Sequence, residues 1–184
     1  ASQVLIDDVQ GGRLATEHLI AQGCTRIAHI RGPHGPVTSE GRMAGYRQAL
    51  RKHDLPFDSA LVKTCTRVTK EAGMALMAEL MHLSAPPDGL FAVTDLAAIG
   101  AMVQLKRMGF AIPGDVAIIG FSDWDMASIV DPPLSSVFQP GFKMGKMATE
   151  LLIREIRLVQ QEQPVRRATH VLDTQLQIRA SSMR

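Results

Sequence analysis

The chain has 184 residues, 46% of them hydrophobic and 21% charged, with a formal net charge of +2. That is enough for one domain with a real core, or one domain and part of another. So small a charge argues against a nucleic-acid or anionic-membrane surface, and 4% aromatics against a base-stacking one. Cys24 and Cys65 form no C-x-x-C pair and have no histidine cluster nearby, which argues against a disulfide framework or zinc site and fits a reducing cytoplasm. No apolar run reaches membrane-spanning length, and none reads as a signal peptide.

The opening ASQVLIDD reads as the middle of a strand, so the chain is expected to be a piece of a longer protein. Val4 to Ile6 predicts a strand. GGRLATEHLIAQG predicts a helix with Leu14, Ala15, His18 and Leu19 on one face and Gly23 as its C-cap. A second strand is predicted at 26–30. A helix follows with Met43, Tyr46 and Leu50 at helical spacing, then a strand at 60–64. The third helix carries Gly73, Leu76, Leu80 and Leu83 in register. Leu90 to Val93 is the fourth strand, and the helix from Leu96 is closed by Gly109. VAIIGFS supplies the fifth strand. A long amphipathic helix is predicted over 142–161, with Met144, Ala148, Leu151, Leu152 and Val159 facing inward. A strand and tail over 168–182 follow a polar stretch, Gln160 to Arg167.

Strands alternating with helices of this length imply β-α units and an α/β fold, a parallel sheet flanked by helices. In such sheets ligands sit outside the carboxyl ends of the strands. That rule selects the loops at 7–10, 31–42, 65–70, 94–96 and 122–125.

Asp123 and Asp125 stand two apart beside Trp124, the chain's one tryptophan. A general acid/base pair needs two environments that separate the pKa values and a positioned nucleophile or water, and the sequence supplies neither. G-x-S-x-G is absent, and the glycines at 32, 35 and 41 match no phosphate-binding pattern. No metal or cofactor is expected. His18 and His29 read as core histidines, and Arg154, Arg157, Arg166 and Arg167 as a solvated helix face. What remains at the strand ends is Thr38, Ser39 and Arg42, then Thr94 and Asp95, then Ser122, Asp123 and Trp124. Hydroxyls, carboxylates and a guanidinium around one crevice suit a polyhydroxylated or anionic small molecule, with an aromatic ring to stack on a sugar face. Blander roles compete: Asp123 capping a short helix over 124–130, Asp95 capping a helix from Leu96, and Arg42 solvated on its own helix.

GGRLATEHLIAQGCTRIAHIRGP, TSEGRMAGYRQAL, VTDLAAIGAMVQLKRMGFAIPGDVAIIGFSD, DPPLSSVFQPGFKMGKMATELL and IRASS follow one another at a specific spacing from about Val4 to Ser182. In them the chain resembles the effector-binding part of lactose-repressor-type (LacI/GalR) bacterial transcription regulators. The resemblance implies a type I periplasmic-binding-protein-like fold, here mostly its C-terminal lobe. Residues 1–140 are expected to form that lobe, 141–170 a helix and strand of the N-terminal lobe, and 171–184 a returning strand and tail, with the DNA-binding headpiece absent.

The resemblance places effector contacts on Thr38, Arg42, Thr94, Asp95 and Ser122. Arg42 grips ring hydroxyls or a carboxylate, and Arg42→Ala is expected to abolish the response without unfolding the chain. The family usually has Asp where Ser122 stands, so Asp123 is a candidate acceptor. Asn is frequent where Thr94 stands, and Val68 falls where some members place an aromatic lid. The implied partners are a sugar-like effector, operator DNA through the missing headpiece, and a second copy meeting it at Ile99, Val103, Met126, Ile129 and Val130. No membrane partner and no catalytic activity are implied, and the expected compartment is the cytoplasm. A periplasmic sugar-binding protein of a transport system is the alternative with the same fold.

Overall fold

A computed structural model describes residues 2–184. In chain order its elements are β1 (Gln3–Ile6), α1 (Asp8–Ala21), β2 (Ile27–Arg31), α2 (Val37–Lys52), β3 (Val62–Thr64), α3 (Lys70–Met81), β4 (Gly89–Ala92) and α4 (Asp95–Arg107). Then come β5 (Ala117–Ser122), α5 (Asp125–Ile129), β6 (Ser135–Phe138), α6 (Gly141–Gln160), β7 (Thr169–Leu172) and β8 (Gln175–Gln177). The main sheet has six strands in the order β3-β2-β4-β5-β6-β8. All its pairings are parallel except that of β8, which runs antiparallel to β6. This is the α/β architecture that the alternating pattern predicts.

Side-chain alternation splits each central strand between two cores. Ala28, Ile30, Leu90, Ala92 and Ile118 join Met77, Leu80, Ala101 and Leu105 of α3 and α4 on one face. Ile27, Phe91, Ile119 and Phe121 join Leu19, Met43 and Tyr46 of α1 and α2 on the other. Both sheet faces are therefore dry, which is why these strands read as mainly apolar runs, with His29 and Arg31 the polar exceptions in β2.

The small end of the chain departs from expectation. β1 does not join the main sheet; it pairs in parallel with β7 in a separate two-stranded sheet. The boundary expected at residue 140 left β1 with the larger unit, and its hydrogen bonds tie it to the smaller. The strand signal over 168–182 divides at Asp173-Thr174 into β7 and β8, which belong to different sheets. The chain thus passes between the sheets at Asp7, at Gln139-Pro140 and at Asp173-Thr174. Ser135 and Ser136, both fully buried, interrupt the apolar run of β6, and no strand is predicted there from sequence.

On α6 the expected inward face is also corrected. None of its residues is buried, and Ala148, Leu152 and Val159 are exposed, while Met144 and Leu151 are half-buried. Two strands offer too narrow a surface to cover a 20-residue helix.

Close helix contacts set the geometry near the strand ends. A Cβ at Gly12 would lie 2.3 Å from the Arg42 carbonyl oxygen, and one at Gly45 2.1 Å from that of Val9. The α1 and α2 backbones therefore touch, which brings the first residue of α1, Asp8, against Arg42 in α2. Gly45→Ala is expected to force the helices apart and lower the free energy of unfolding by about 2 kcal/mol, the scale of core overpacking, measurable by urea titration.

His29 in β2 is fully buried between Phe91, stacked at 4.6 Å, and Tyr46 at 5.3 Å. Its Nδ1 lies 2.9 Å from the Phe91 carbonyl, and Nε2 has no partner. The ring is thus the neutral tautomer that donates through Nδ1, a satisfied core histidine on one side only. Burial pushes its pKa down to about 4. The unfolded chain takes up this proton near pH 6.5 and the folded chain does not, so stability falls as pH drops from about 6.5 to about 4. His29→Phe should remove an acid-limb loss of up to about 3 kcal/mol, read as the wild-type minus variant difference in unfolding free energy across that range.

Candidate functional site

The carboxyl ends of β2, β4 and β5 lie side by side, and the sheet's connections reverse direction between β2 and β4. A crevice at such a point is where open α/β sheets hold ligands. Arg42 is buried at this edge, against the residue that follows β4 and the Phe121 ring of β5. The residue is 6% exposed, so it is not the solvated helix residue that sequence alone leaves open. Its Nε donates to Asp8 Oδ1 at 2.8 Å and its Nη1 to the Val93 carbonyl at 2.6 Å. Its guanidinium carbon lies 3.5 Å from the centroid of the Phe121 ring. Nη2 makes no hydrogen bond among the described residues. Burial lowers the Arg42 pKa against the opposing pull of Asp8 and Asp95. Burial raises that of Asp8 despite the Arg42 charge and hydrogen bond.

Thr94, not Asp95, caps α4: its Oγ1 accepts from Ala97 N at 3.4 Å. Asp95 is the first residue of the helix and is fully buried. Its Oδ2 accepts from Trp124 N at 2.8 Å and its Oδ1 from the Ser136 hydroxyl. Burial raises its pKa, with those two hydrogen bonds opposing. A carboxylate so enclosed ties loop to strand.

Ser122 and Asp123 have φ of 111° and 53°. Positive φ at two successive residues with side chains is a costly conformation that its surroundings must impose. Here Asp123 N donates to Ser136 Oγ at 3.0 Å, beside the Trp124–Asp95 bond. The Asp123 carboxylate turns to Arg179, whose Nη1 lies 2.7 Å from Oδ1, an ionic contact off the hydrogen-bond axis. Asp123 therefore does not cap α5. That helix begins at Asp125 after Trp124, with no side-chain cap. Ser122 Oγ lies 3.5 Å from Gln139 Oε1. Trp124 is 52% exposed, and Thr38 is exposed in the first turn of α2, two residues past its N-cap Pro36. Val68 leans on the α3–α4 core.

The structure thus gathers Arg42, Thr94, Asp95, Ser122, Asp123 and Trp124 at one sheet edge and leaves Thr38 at its rim. It adds Asp8, Ser136, Gln139 and Arg179, which sequence reasoning missed. Asp8 lies within the selected 7–10 loop and ends an apolar run beside a second aspartate, which is a usable signal. Ser136 and Gln139 are hidden with the unpredicted strand β6.

Elsewhere, Ile99, Val103 and Val130 line a shallow groove of about 260 Å³ with Met102, Lys106 and Asp131. Lys106 and Asp131 pair across it at 2.7 Å, and Met126 and Ile129 are exposed on the neighbouring α5.

Residues 16–182 match the model of the periplasmic binding protein-like domain family. Among curated proteins, the chain is 38% identical over 180 residues to the HTH-type transcriptional regulator CelR of Thermobifida fusca, covering 98% of this chain and 52% of that protein. It is 35% identical over 179 residues to the HTH-type transcriptional repressor CytR of Escherichia coli (strain K12), covering 97% and 51%. The chain therefore spans about half the length of the curated relatives it matches. Among solved structures, a transcriptional regulator CelR–cellobiose complex superposes with a TM-score of 0.90 at 36% identity, over 98% of this chain and 54% of that one.

The two hydrogen bonds to Asp95 generate an asymmetric expectation. In Asp95→Asn the amide oxygen can accept from Trp124 N, and the Ser136 hydroxyl can rotate to accept from the amide nitrogen. Asp95→Ala leaves both groups unpaired. The Asn variant should lose less than about 1 kcal/mol of stability and the Ala variant about 2–4 kcal/mol, compared by denaturant titration.

Proposed function

Because the chain belongs to the periplasmic-binding-protein-like family, in the form carried by LacI/GalR-type regulators, we propose that it is the effector-sensing region of such a regulator. Sugar-like molecules bind at the crevice between the strand ends, and their binding controls attachment of the whole protein to operator DNA. The observation that carries this reading is the held guanidinium of Arg42. Asp8, Val93 and Phe121 fix its plane and leave one nitrogen for a ligand, the preorganisation that a hydroxyl-rich molecule needs. Thr94, Ser122 and the exposed Trp124 lie along the same edge as further polar and stacking contacts, with Thr38 at the rim. The named relatives support a part in transcription regulation, and a similar structure holding cellobiose supports the sugar class.

In this reading the main sheet is the C-terminal lobe, and β1, α6 and β7 are part of a second lobe whose other elements complete the cleft. The Ile99–Val103–Val130 groove with Met126 and Ile129 is the surface that meets a second copy, its apolar centre rimmed by the Lys106–Asp131 pair. Effector binding then acts by a rigid-body change between lobes. No described helix is long and apolar enough to cross a membrane, and the relatives named above are transcription regulators rather than enzymes.

Removing Arg42 outright would strand Asp8 as a buried, unpaired charge, at a cost of about 3–5 kcal/mol. Arg42→Ala is therefore expected to destabilise the fold as well as remove the contact. Arg42→Lys keeps the charge and loses the planar fork. Titration calorimetry of the whole protein against cellobiose, ribose, other mono- and disaccharides and nucleosides should find one binding class. Arg42→Lys should weaken it at least about tenfold, or about 1.4 kcal/mol. Binding by none of the panel, or unchanged affinity in the variant, overturns the assignment.

A further inference from the structure

We infer that Arg179 is a positioning residue for the loop Ser122 to Trp124: arriving on the segment that returns from the small sheet, its guanidinium holds the Asp123 carboxylate and so keeps the loop in its positive-φ form. The loop's description as effector-facing rests on the proposed function; the positioning does not.

Three elements pin this loop. α4 gives Asp95 to Trp124 N, β6 gives Ser136 to Asp123 N, and the stretch after β8 gives Arg179 to the Asp123 carboxylate. The first two hold backbone groups, and Gln139 Oε1 meets the Ser122 hydroxyl at 3.5 Å. Arg179 alone brings a positive charge, which serves two neighbouring acids. Asp123 and Asp95 are close enough to repel one another, and Arg179 opposes that repulsion.

Arg179 is itself firmly placed. Its Nη1 donates to the Leu134 carbonyl at 2.7 Å and its backbone N to Ser135 Oγ, also at 2.7 Å. Five residues earlier the same segment crosses from the small sheet at Thr174, where Thr174 N and Oγ1 meet Gln10 Oε1 at 3.4 and 3.3 Å. The segment is therefore held to α1 at one end and to β6 and the loop at the other. Without the guanidinium, the repulsion between Asp95 and Asp123 and the unfavourable φ of Ser122 both push toward an extended loop.

Trp124 is the chain's single tryptophan, so its fluorescence reports on this loop alone. Acrylamide quenching is measured on the protein without any sugar, in wild type, Arg179→Met, Arg179→Lys and Asp123→Asn, each beside a thermal melt followed by circular dichroism. The indole is half exposed at 52%, so release of the loop raises the quenching constant by up to about twofold. Arg179→Met and Asp123→Asn should both show that rise well below their melting temperatures, and Arg179→Lys should restore most of the wild-type value. Wild-type quenching in Arg179→Met overturns the inference, as does a Lys variant no better than Met. Should Arg179→Met fail to fold, Asp123→Asn decides, since it leaves the Leu134 and Ser135 bonds of Arg179 in place and only a raised quenching constant supports the role. Because no ligand enters, failure of the sugar panel leaves this result unaffected, and the reverse holds.

Discussion

Burial of the Arg42 guanidinium is the constraint around which this edge of the molecule is arranged. A buried cation must be paired and its donors satisfied, and breaking such a pair costs far more than the pair contributes. Asp8 answers the charge, Val93 takes a second donor, and the Phe121 ring covers the plane. Each requirement fixes an element. Asp8 must stand at the start of α1, and α1 must run close to α2, which Gly12 and Gly45 permit. Val93 must follow β4 beside the end of β2. Phe121 must point to the α1–α2 face of β5, as strand alternation puts it. A group held this way cannot reorganise cheaply, which is what a discriminating ligand site requires.

The loop after β5 follows the opposite logic. Its backbone occupies a conformation that the local sequence disfavours, and only distant groups make it stable. Asp95 and Ser136 are both fully buried polar residues that serve one another and the loop's N–H groups. Polar networks in a dry interior specify a single arrangement strongly when every member is satisfied, and fail as a unit when one is lost. The guanidinium and the loop therefore stand at the same sheet edge, one held by Asp8, Val93 and Phe121 and the other by Asp95, Ser136 and Arg179.

The layered α/β architecture was legible because both faces of the sheet are covered, so β4 and most of β5 are apolar runs, β2 is interrupted only by His29 and Arg31, and the helices between them carry clear periodicity. Ser135 and Ser136 hid β6 for a physical reason: a buried hydroxyl reads as a turn until its partners, the tail at Arg179 to Ser182 and Asp95, are known. β1 was legible as a strand but its partner was not, since β7 lies more than 160 residues away along the chain. In the site, Arg42, Thr94 and the 122–124 loop could be selected from their positions at strand ends. Their roles could not. Whether Asp95 caps a helix, meets a ligand or ties a loop depends on which N–H groups reach it, and Trp124 and Ser136 come from elements that sequence spacing does not relate to it.

Each of the three passages between the sheets delivers one side chain to this site. Asp8 follows the first and orients Arg42. Gln139 stands at the second, 3.5 Å from the Ser122 hydroxyl. Arg179 lies beyond the third and faces Asp123. The groups that hold Arg42, Ser122 and Asp123 are thus carried by the chain segments that link the two sheets. Any displacement there changes the crevice directly, without a relay through the core. By linkage the dependence runs both ways: a molecule that prefers one shape of the crevice prefers one setting of the crossovers by the same free energy. On the proposed function no relay through the core is required, because Asp8, Gln139 and Arg179 at the joints directly contact Arg42, Ser122 and Asp123.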